Sequence, residues 1–478
     1  DMEAGSTSGA GYTNGAGSSE YKMLSYFARV NYTLMDRYLF EVNMRADASS
    51  RFHKDHRWGY FPSFSAGWRM SEESFMKDIE WINNLKIRAS YGTLGNINNV
   101  GNYDYFQNYS SGNHYNFSDS PVIGIGESKP ANETLGWEKV ALTDIGLDFD
   151  IFNGLLGVTA DYYIKNTSDI LLGYNVPTET GITAAPSQNI GKVKNTGFEL
   201  ALNHRNKIGA VNYSIGANIA TNKNKITNLG GSDNIIQTSS YIVKYILKKG
   251  ESIGSFYGFK TDGLYTQADI DAGHYYTLSG VVPNAGDIKF VPQRDIEYKQ
   301  EITDEDRTIL GKDVPDFTYG VNLSLQYKGF EFSMFGQGIS GTKVAFDVYG
   351  VHPFYHGQDS PRKYHLKRWT EENPNPHAAY PRIYSASSVH TTYNRNFSDY
   401  HLFDSDYFRF KTLSLGYTVP SATVKNWGLQ SLKVYVTGEN LFTVRADKKM
   451  EDFDPETAGG VIYTLGTKSV AFGVNISF

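Results

Sequence analysis

Thr467-Lys-Ser-Val-Ala-Phe-Gly-Val-Asn-Ile-Ser-Phe478 is the stretch that decides the fold class. Val470, Phe472, Val474, Ile476 and Phe478 take every second position, and Ser469, Ala471, Gly473, Asn475 and Ser477 fill the gaps. Successive side chains of a strand point to opposite faces, so this segment reads as a strand with one apolar side and one small or polar side. A strand of this kind ending on an aromatic residue is the pattern of a bacterial outer-membrane barrel, with apolar residues toward lipid and polar ones toward the lumen.

The same period of two recurs upstream. It marks strands at about 25–34, 37–48, 60–70, 83–93, 138–149, 154–166, 193–204, 210–222, 316–327, 329–340, 404–418 and 431–442, thirteen with the last at 467–478. In 319–327, Tyr319, Val321, Leu323, Leu325 and Tyr327 alternate with Gly320, Asn322, Ser324 and Gln326. The connections alternate as well. Met35-Asp36, Phe152-Asn153 and Lys328-Gly329 read as tight turns, and Arg205–Gly209 and Pro420–Gln430 as modest ones. Residues 71–82 read as a short helix with acidic residues in its first turn. Long connections occupy 94–137, 167–192, 223–315, 341–403 and 443–466. Short turns on one rim and long loops on the other match the periplasmic and extracellular ends of such a barrel.

Composition agrees by exclusion. No run approaches the ~20 apolar residues that a membrane helix needs, which excludes a helical membrane protein but not a barrel, where alternation dilutes the apolar residues. That dilution fits a mean hydropathy of −0.42 in a chain that is 40% hydrophobic. With 35 Tyr and 28 Phe the chain is rich in rings suited to membrane interfaces, although a tyrosine-rich soluble β-protein or lectin shares that composition. The absence of cysteine removes disulfides, thiolate metal sites and a cysteine nucleophile. A net charge of −6, with only short basic pairs such as Lys248-Lys249 and Lys448-Lys449, leaves no nucleic-acid footprint. Asp1–Ala10 has no basic region followed by an apolar core, so no signal peptide is read there.

Direction follows from the alternation of connections: the last strand runs inward, and counting back, so does the first. Residues 1–24, rich in Gly, Ser and Ala, then read as the remnant of an extracellular loop. Thirteen is odd, and thirteen strands alone would leave two open edges in lipid, where unpaired backbone is costly. The expectation is therefore that residues 25–478 are the C-terminal part of a larger barrel.

Several motifs carry a resemblance. Tyr26-Phe-Ala-Arg-Val-Asn-Tyr32, Arg45-Ala-Asp-Ala-Ser-Ser-Arg-Phe52, Trp58-Gly-Tyr-Phe-Pro-Ser63, Gly67-Trp68, Leu85–Gly92, Asn195-Thr-Gly-Phe-Glu199, Phe256-Tyr-Gly-Phe259 and Asp262-Gly-Leu-Tyr265 begin the series. Asp306-Arg307 through Gly311, Asn373-Pro374, Pro381-Arg382, Gly438-Glu-Asn-Leu-Phe442 and Asp454-Pro-Glu456 complete it. In this order, from about residue 25 to the end, the chain resembles the SusC/RagA-type TonB-dependent transporters of Bacteroidetes. The resemblance implies an all-β transmembrane antiparallel barrel of about 22 strands with a plug in its lumen. The first strand here would be about the tenth, with the plug and the N-terminal strands on the remainder of the same transporter. It implies active import of oligosaccharides, or in some members peptides, across the outer membrane. The implied partners are a SusD-like surface lipoprotein acting as a lid, outer-membrane lipid, and TonB-ExbB-ExbD acting through the plug. A siderophore- or vitamin-type receptor without a lid, a surface glycan-binding adhesin and a soluble lectin are the alternatives.

Nothing in the sequence reads as an enzyme. No Ser/His/Asp order or Gly-x-Ser-x-Gly elbow is present, and Gly124-Ile-Gly126 lacks a strand-to-helix setting. The family's calcium-like loop would fall at Asp295–Arg307, where Asp295 and Glu297 are candidate Ca2+ ligands. Lys299 stands where a third carboxylate would be needed, so no cofactor is expected with any strength. His352, His356 and His365 share one loop, but Pro353 and Gly357 interrupt any fixed zinc spacing. Loop aromatics Tyr103, Tyr105, Phe106, Trp369 and Tyr393 are candidate stacking surfaces for sugar rings; packing the loops together is their other role. Arg29, Arg45, Arg88 and Asp144 are expected in polar networks on the lumen side, facing the plug.

Overall fold

The computed structural model describes residues 19–117, 120–173, 179, 187–238, 242–346, 351–354, 360–456 and 466–478. All thirteen expected segments are strands: β1 (Met23–Leu34), β2 (Tyr38–Ser49), β3 (Trp58–Arg69), β4 (Ile82–Asn96), β5 (Glu138–Ile151), β6 (Leu156–Gly173) and β7 (Ser187–Ile208). β8 (Val211–Thr221), β9 (Phe317–Tyr327), β10 (Phe330–Ser340), β11 (Tyr407–Thr418), β12 (Ser431–Arg445) and β13 (Ser469–Ser477) follow. They join one antiparallel sheet in strict chain order, and among the described residues β1 and β13 each keep one unpaired edge.

Register makes each face continuous. Leu323 of β9 lies opposite Ile215 of β8 and Met334 of β10, and Leu325 lies opposite Tyr213 and Phe332. Between them Ser324 lies opposite Ser214 and Ser333. At the chain end Val474 pairs with Val434 and Phe472 with Val436. The apolar face stays bare: Phe472 is 84% exposed, Ile145 56% and Leu415 50%. Water would penalise such a surface at about 25 cal/mol per Å2, whereas hydrocarbon does not, so lipid is the solvent this face fits. No helix among the described residues is long and apolar enough to cross a membrane; the strands do the crossing.

One rim carries short turns. Met35-Asp36 and Lys328-Gly329 have φ of 54° and 56°, and 46° and 90°, the paired left-handed conformation of two-residue hairpin turns. Gly329 suits its position twice over, because a Cβ there would lie 2.7 Å from the Thr418 carbonyl oxygen. The opposite rim carries the long connections, and it is there that the protein has its core. Phe259, Leu264, Ile288, Phe290, Ile302, Trp369 and Tyr393 form one buried cluster. Val344, Phe346, Tyr364, Phe403, Met450 and Phe453 form a second. The described parts of loops 223–315, 341–403 and 443–456 are thus folded into a cap of short strands and turns (residues 239–241, 347–350 and 355–359 lie outside the described set).

Four local expectations are corrected. Residues 71–82 are not a helix: a 3-10 turn at Met70–Glu72 is followed by successive turns closed by Glu73 N–Met70 O, Met76 N–Glu73 O and Ile79 N–Met76 O bonds. The Glu73 carboxylate accepts from Arg37, Tyr38 and Trp68 at 3.0, 2.7 and 3.0 Å, which fastens this segment to β2 and β3. β6 and β7 run past their expected ends at 166 and 193, because Ile170–Leu172 continue the pairing beyond two bulges. Residues 205–208 belong to β7, and the turn comes at Gly209, with φ of 59°. Finally, the connection 94–137 holds a hairpin, Asn108–Phe117 with Ser120–Lys129, that alternation alone did not reveal.

Candidate functional site

The polar face of the sheet is the first part of the site. Lys86, Arg88 and Ser90 of β4 face Asp148, Gly146 and Asp144 of β5 in register, and Gly146 faces Asp161 of β6. Arg88 is the hub of this stripe: its guanidinium pairs with Asp161 at 2.6 Å, Asp144 at 3.3 Å and Asp148 at 3.3 Å. Gly146 is the residue that lets it lie flat, since a Cβ would fall 2.4 Å from Arg88 Cζ and 2.4 Å from Asp161 Oδ1. Arg45 donates to Asp47 at 2.7 Å, and Arg29 to Asn43 at 2.6 Å. Arg29, Glu41, Asn43, Arg45, Ser63 and Ser90 line one cleft of about 1220 Å3 on this face. The structure therefore brings Arg88 and Asp144 together, and sets Arg29 and Arg45 apart in their own short-range pairs.

A second hub closes the other end of the sheet. Arg409 of β11, 4% exposed, donates to Glu456 and Asp454, both at 2.7 Å, and to Thr443 Oγ1 at 2.9 Å. Glu456 also accepts from Lys411 at 2.8 Å and from the Tyr407 hydroxyl at 3.0 Å. Asp454-Pro-Glu456 thereby ties the last long loop to the wall. Sequence reading picked out this motif but gave it no role; a carboxylate pair around a proline has no partner visible within its own stretch of chain.

The cap contains most of the residues singled out earlier. Trp369 is 5% exposed and Tyr393 1%, so neither offers a free ring face; here they pack the loops against each other, a correction to their candidacy as sugar platforms. The Tyr393 hydroxyl donates to Ile288 O at 3.2 Å, and Arg382 lies over the Trp369 ring at 5.5 Å. Between the two loops sits Asp287, fully buried, which accepts from Asn284 N at 2.7 Å, from His390 Nδ1 at 2.8 Å and from Asn394 Nδ2 at 2.8 Å. Tyr103 and Phe106 remain exposed, at 46% and 50%, and Tyr105 stacks on Phe106 with centroids 4.3 Å apart. Tyr103 has a left-handed backbone, φ 69°, and its hydroxyl accepts from Glu20 N at 3.3 Å.

In the calcium-like loop Asp295 and Glu297 are both exposed, and among the described residues no group of three or more His, Cys, Asp or Glu is arranged so that it could hold a metal ion. The buried carboxylate of the region is Asp306, which binds Arg294 at 2.7 Å and accepts from the amides of Thr303, Arg294 and Gln293 at 2.9, 3.0 and 3.0 Å. Burial alone would push its pKa up; the guanidinium and the amides outweigh that and hold it at about 2. A guanidinium thus occupies the place where this loop's carboxylate would meet a cation.

His352, His365 and His401 are buried structural groups. His365 Nε2 lies 2.8 Å from Val351 O, and its Nδ1 accepts from Arg362 N at 2.7 Å. His352 Nδ1 meets the Tyr380 hydroxyl at 3.1 Å, and its ring lies 5.3 Å from that of His401. His356 lies outside the described residues. Burial pushes the His352, His365 and His401 imidazoles below the ordinary histidine pKa, His401 to about 4.

Comparison with known proteins gives these surfaces a context. The family model for the TonB dependent receptor-like beta-barrel matches residues 2–441. TonB-dependent receptor P3 of Formosa agariphila is 32% identical over 431 residues, covering 89% of this chain and 41% of that protein. TonB-dependent receptor SusC of Bacteroides thetaiotaomicron is 29% identical over 467 residues, covering 95% of this chain and 43% of that protein. The structure of the RagAB peptide transporter superposes with a TM-score of 0.75 at 25% identity, covering 96% of this chain and 48% of the solved one. The chain spans less than half the length of these relatives.

Proposed function

The chain belongs to the TonB-dependent receptor-like β-barrel family, and on that premise we propose that it forms the C-terminal wall and extracellular cap of a SusC-like importer in the outer membrane. The observation that carries the proposal is the two-faced sheet: a bare apolar face for lipid, and a polar face that carries ion-paired hubs and, apart from them, a cleft lined by Arg29, Glu41, Asn43 and Arg45. The unpaired edges of β1 and β13 supply the hydrogen-bonding groups with which further strands of the same transporter would close the barrel. The plug would then sit against the polar face, and TonB-ExbB-ExbD would act on the transporter through that plug.

The cargo class we assign is oligosaccharide or peptide, taken up together with a SusD-like surface lipoprotein. Similarity to SusC and to the RagAB peptide transporter supports both the class and the lidded arrangement. The packed cap supports it further, because a preorganised outer surface suits docking of a lid. Tyr103, Tyr105 and Phe106 are the aromatic rings we assign to cargo contact, since two of them keep an exposed face at the mouth.

Mild-detergent purification of the native complex, followed by mass spectrometry of its polypeptides and bound small molecules, tests this reading. A plug-bearing transporter with a surface lipoprotein and a glycan or peptide is expected. A protein that stays in solution without detergent and has no such companions would contradict it.

A further inference from the structure

The outer face of the wall changes character above β6 and β7. From Ile208 upward, β7 turns Ile208, Asn206, His204, Leu202, Leu200 and Phe198 outward, and then Thr196, Lys194 and Lys192. Beside it, Lys223–Leu229 adds a short strand at the long-loop rim, with Lys223 opposite Thr196 and Lys225 opposite Lys194. The inner side of that added strand is settled by Ile226, 1% exposed, and by Asn224, which donates to Asn195 at 2.7 Å. Alternation therefore turns Lys223 and Lys225 outward, on the same side as Lys192 and Lys194. On the other flank Asn166 of β6 lies opposite Lys194, and Lys139 of β5 lies opposite Ser168.

The arrangement is unfavourable by itself. Lys194 and Lys225 stand directly opposite each other, and like charges in that position destabilise a strand pair. Among the described residues, no carboxylate lies within ion-pairing distance of Lys192, Lys194, Lys223 or Lys225; only Lys139 has one, Asp169 at a loose 3.9 Å. All four lysines are exposed. Lys194 is four residues above Phe198, ~13 Å along the strand at about 3.3 Å per residue, so the patch begins where the apolar band ends. In register, Asn166 lies opposite Lys194, Ser168 opposite Lys139 and Thr196 opposite Lys223, so the patch's strand neighbours are amide and hydroxyl residues.

Resting on the barrel reading above, we propose that this patch binds the phosphorylated headgroup of an outer-leaflet glycolipid whose acyl chains lie along the apolar face of β6–β8. Position selects this occupant: an anion held there with its acyl chains in lipid gains both the lysine charges and the adjoining hydrocarbon. A basic residue near an anionic membrane surface is drawn to it, and four lysines on one patch add their attractions at a single headgroup.

The test uses the full-length transporter purified in detergent, probed with lipopolysaccharide, with chemically dephosphorylated lipopolysaccharide and with inorganic phosphate. Wild type should bind lipopolysaccharide at least tenfold more tightly than the dephosphorylated form, with inorganic phosphate a weak competitor. K192Q/K194Q/K223Q/K225Q should lose that preference while its heat-dependent gel mobility still reports a folded barrel. Equal binding of the two lipids by wild type, or an unchanged preference in the quadruple variant, would overturn the proposal. Stronger binding of inorganic phosphate than of the lipid would place the site on a soluble anion instead. If the quadruple variant fails to fold, K194Q/K225Q, which removes only the facing pair, should still weaken lipopolysaccharide binding severalfold. Failure of wild type itself to show heat-dependent mobility would count against the barrel reading, separately from the lipid site.

Discussion

Leu323 and Asn322 are chain neighbours that the sheet places in different solvents, and exchanging each for arginine measures that difference. Leu323 lies four residues from the nearer end of β9, Tyr327. At about 3.3 Å per residue and a strand tilt near 40°, that is ~10 Å of depth in a band ~25 Å tall, so Leu323 sits within a few Å of the midplane. An arginine facing lipid there costs ~2–4 kcal/mol, a ~30- to ~700-fold loss in the folding constant at about 1.4 kcal/mol per tenfold. Asn322 lies opposite Gly216 and Phe335 on the polar face, so its replacement should stay within about 0.5 kcal/mol. Urea-titrated folding of the full-length protein into lipid vesicles, followed by heat-dependent gel mobility, gives both values. Equal losses in L323R and N322R, or the larger loss in N322R, would refute the assignment of faces.

Three further outcomes follow from the hubs and the cap. In R409M, Asp454 and Glu456 lose their shared guanidinium, and breaking such a buried pair costs ~3–5 kcal/mol; the loop should become cleavable after Lys448 and Lys449 under trypsin while the barrel stays folded. G146V should drive the Arg88 guanidinium off Asp161, with a loss of about 1–3 kcal/mol in the same folding assay. The cap should loosen in acid. The His401 pKa is lowered in the folded state, by burial first and then by Lys449, with Asn394 O opposing. Its contribution is therefore complete above the unfolded value near 6.5 and is lost as pH falls toward about 4. By pH 5 this amounts to about 2 kcal/mol, read as faster hydrogen exchange in 341–403, and H401Q should remove that share of the dependence, leaving the part due to His352 and His365.

The wall was legible because its information is local. A period of two over ten residues fixes a strand, its two faces and, through the next turn, its neighbour. What escaped was built from distant pieces. Asp287 meets His390 and Asn394 across 103 and 107 residues, and no pattern within either segment announces the meeting. Trp369 and Tyr393 look like mouth aromatics because they stand in irregular loops, yet those loops bury them in a core of their own. The acidic run at 71–82 suggested a helix by composition, but three partners for Glu73 favour a chain of turns instead. Arg88 and Asp144 were readable as members of a polar network; that Gly146 makes room for it needs the register.

Uptake in the source bacterium asks whether this wall is needed to carry cargo across the outer membrane. The cargo identified in the native complex would be labelled and offered to wild-type cells, to cells lacking residues 317–478 of this protein, and to cells with TonB inactivated. Accumulation is expected in wild type alone, with the lipoprotein still at the surface of both mutants. Undiminished accumulation in cells lacking β9–β13 would contradict this expectation.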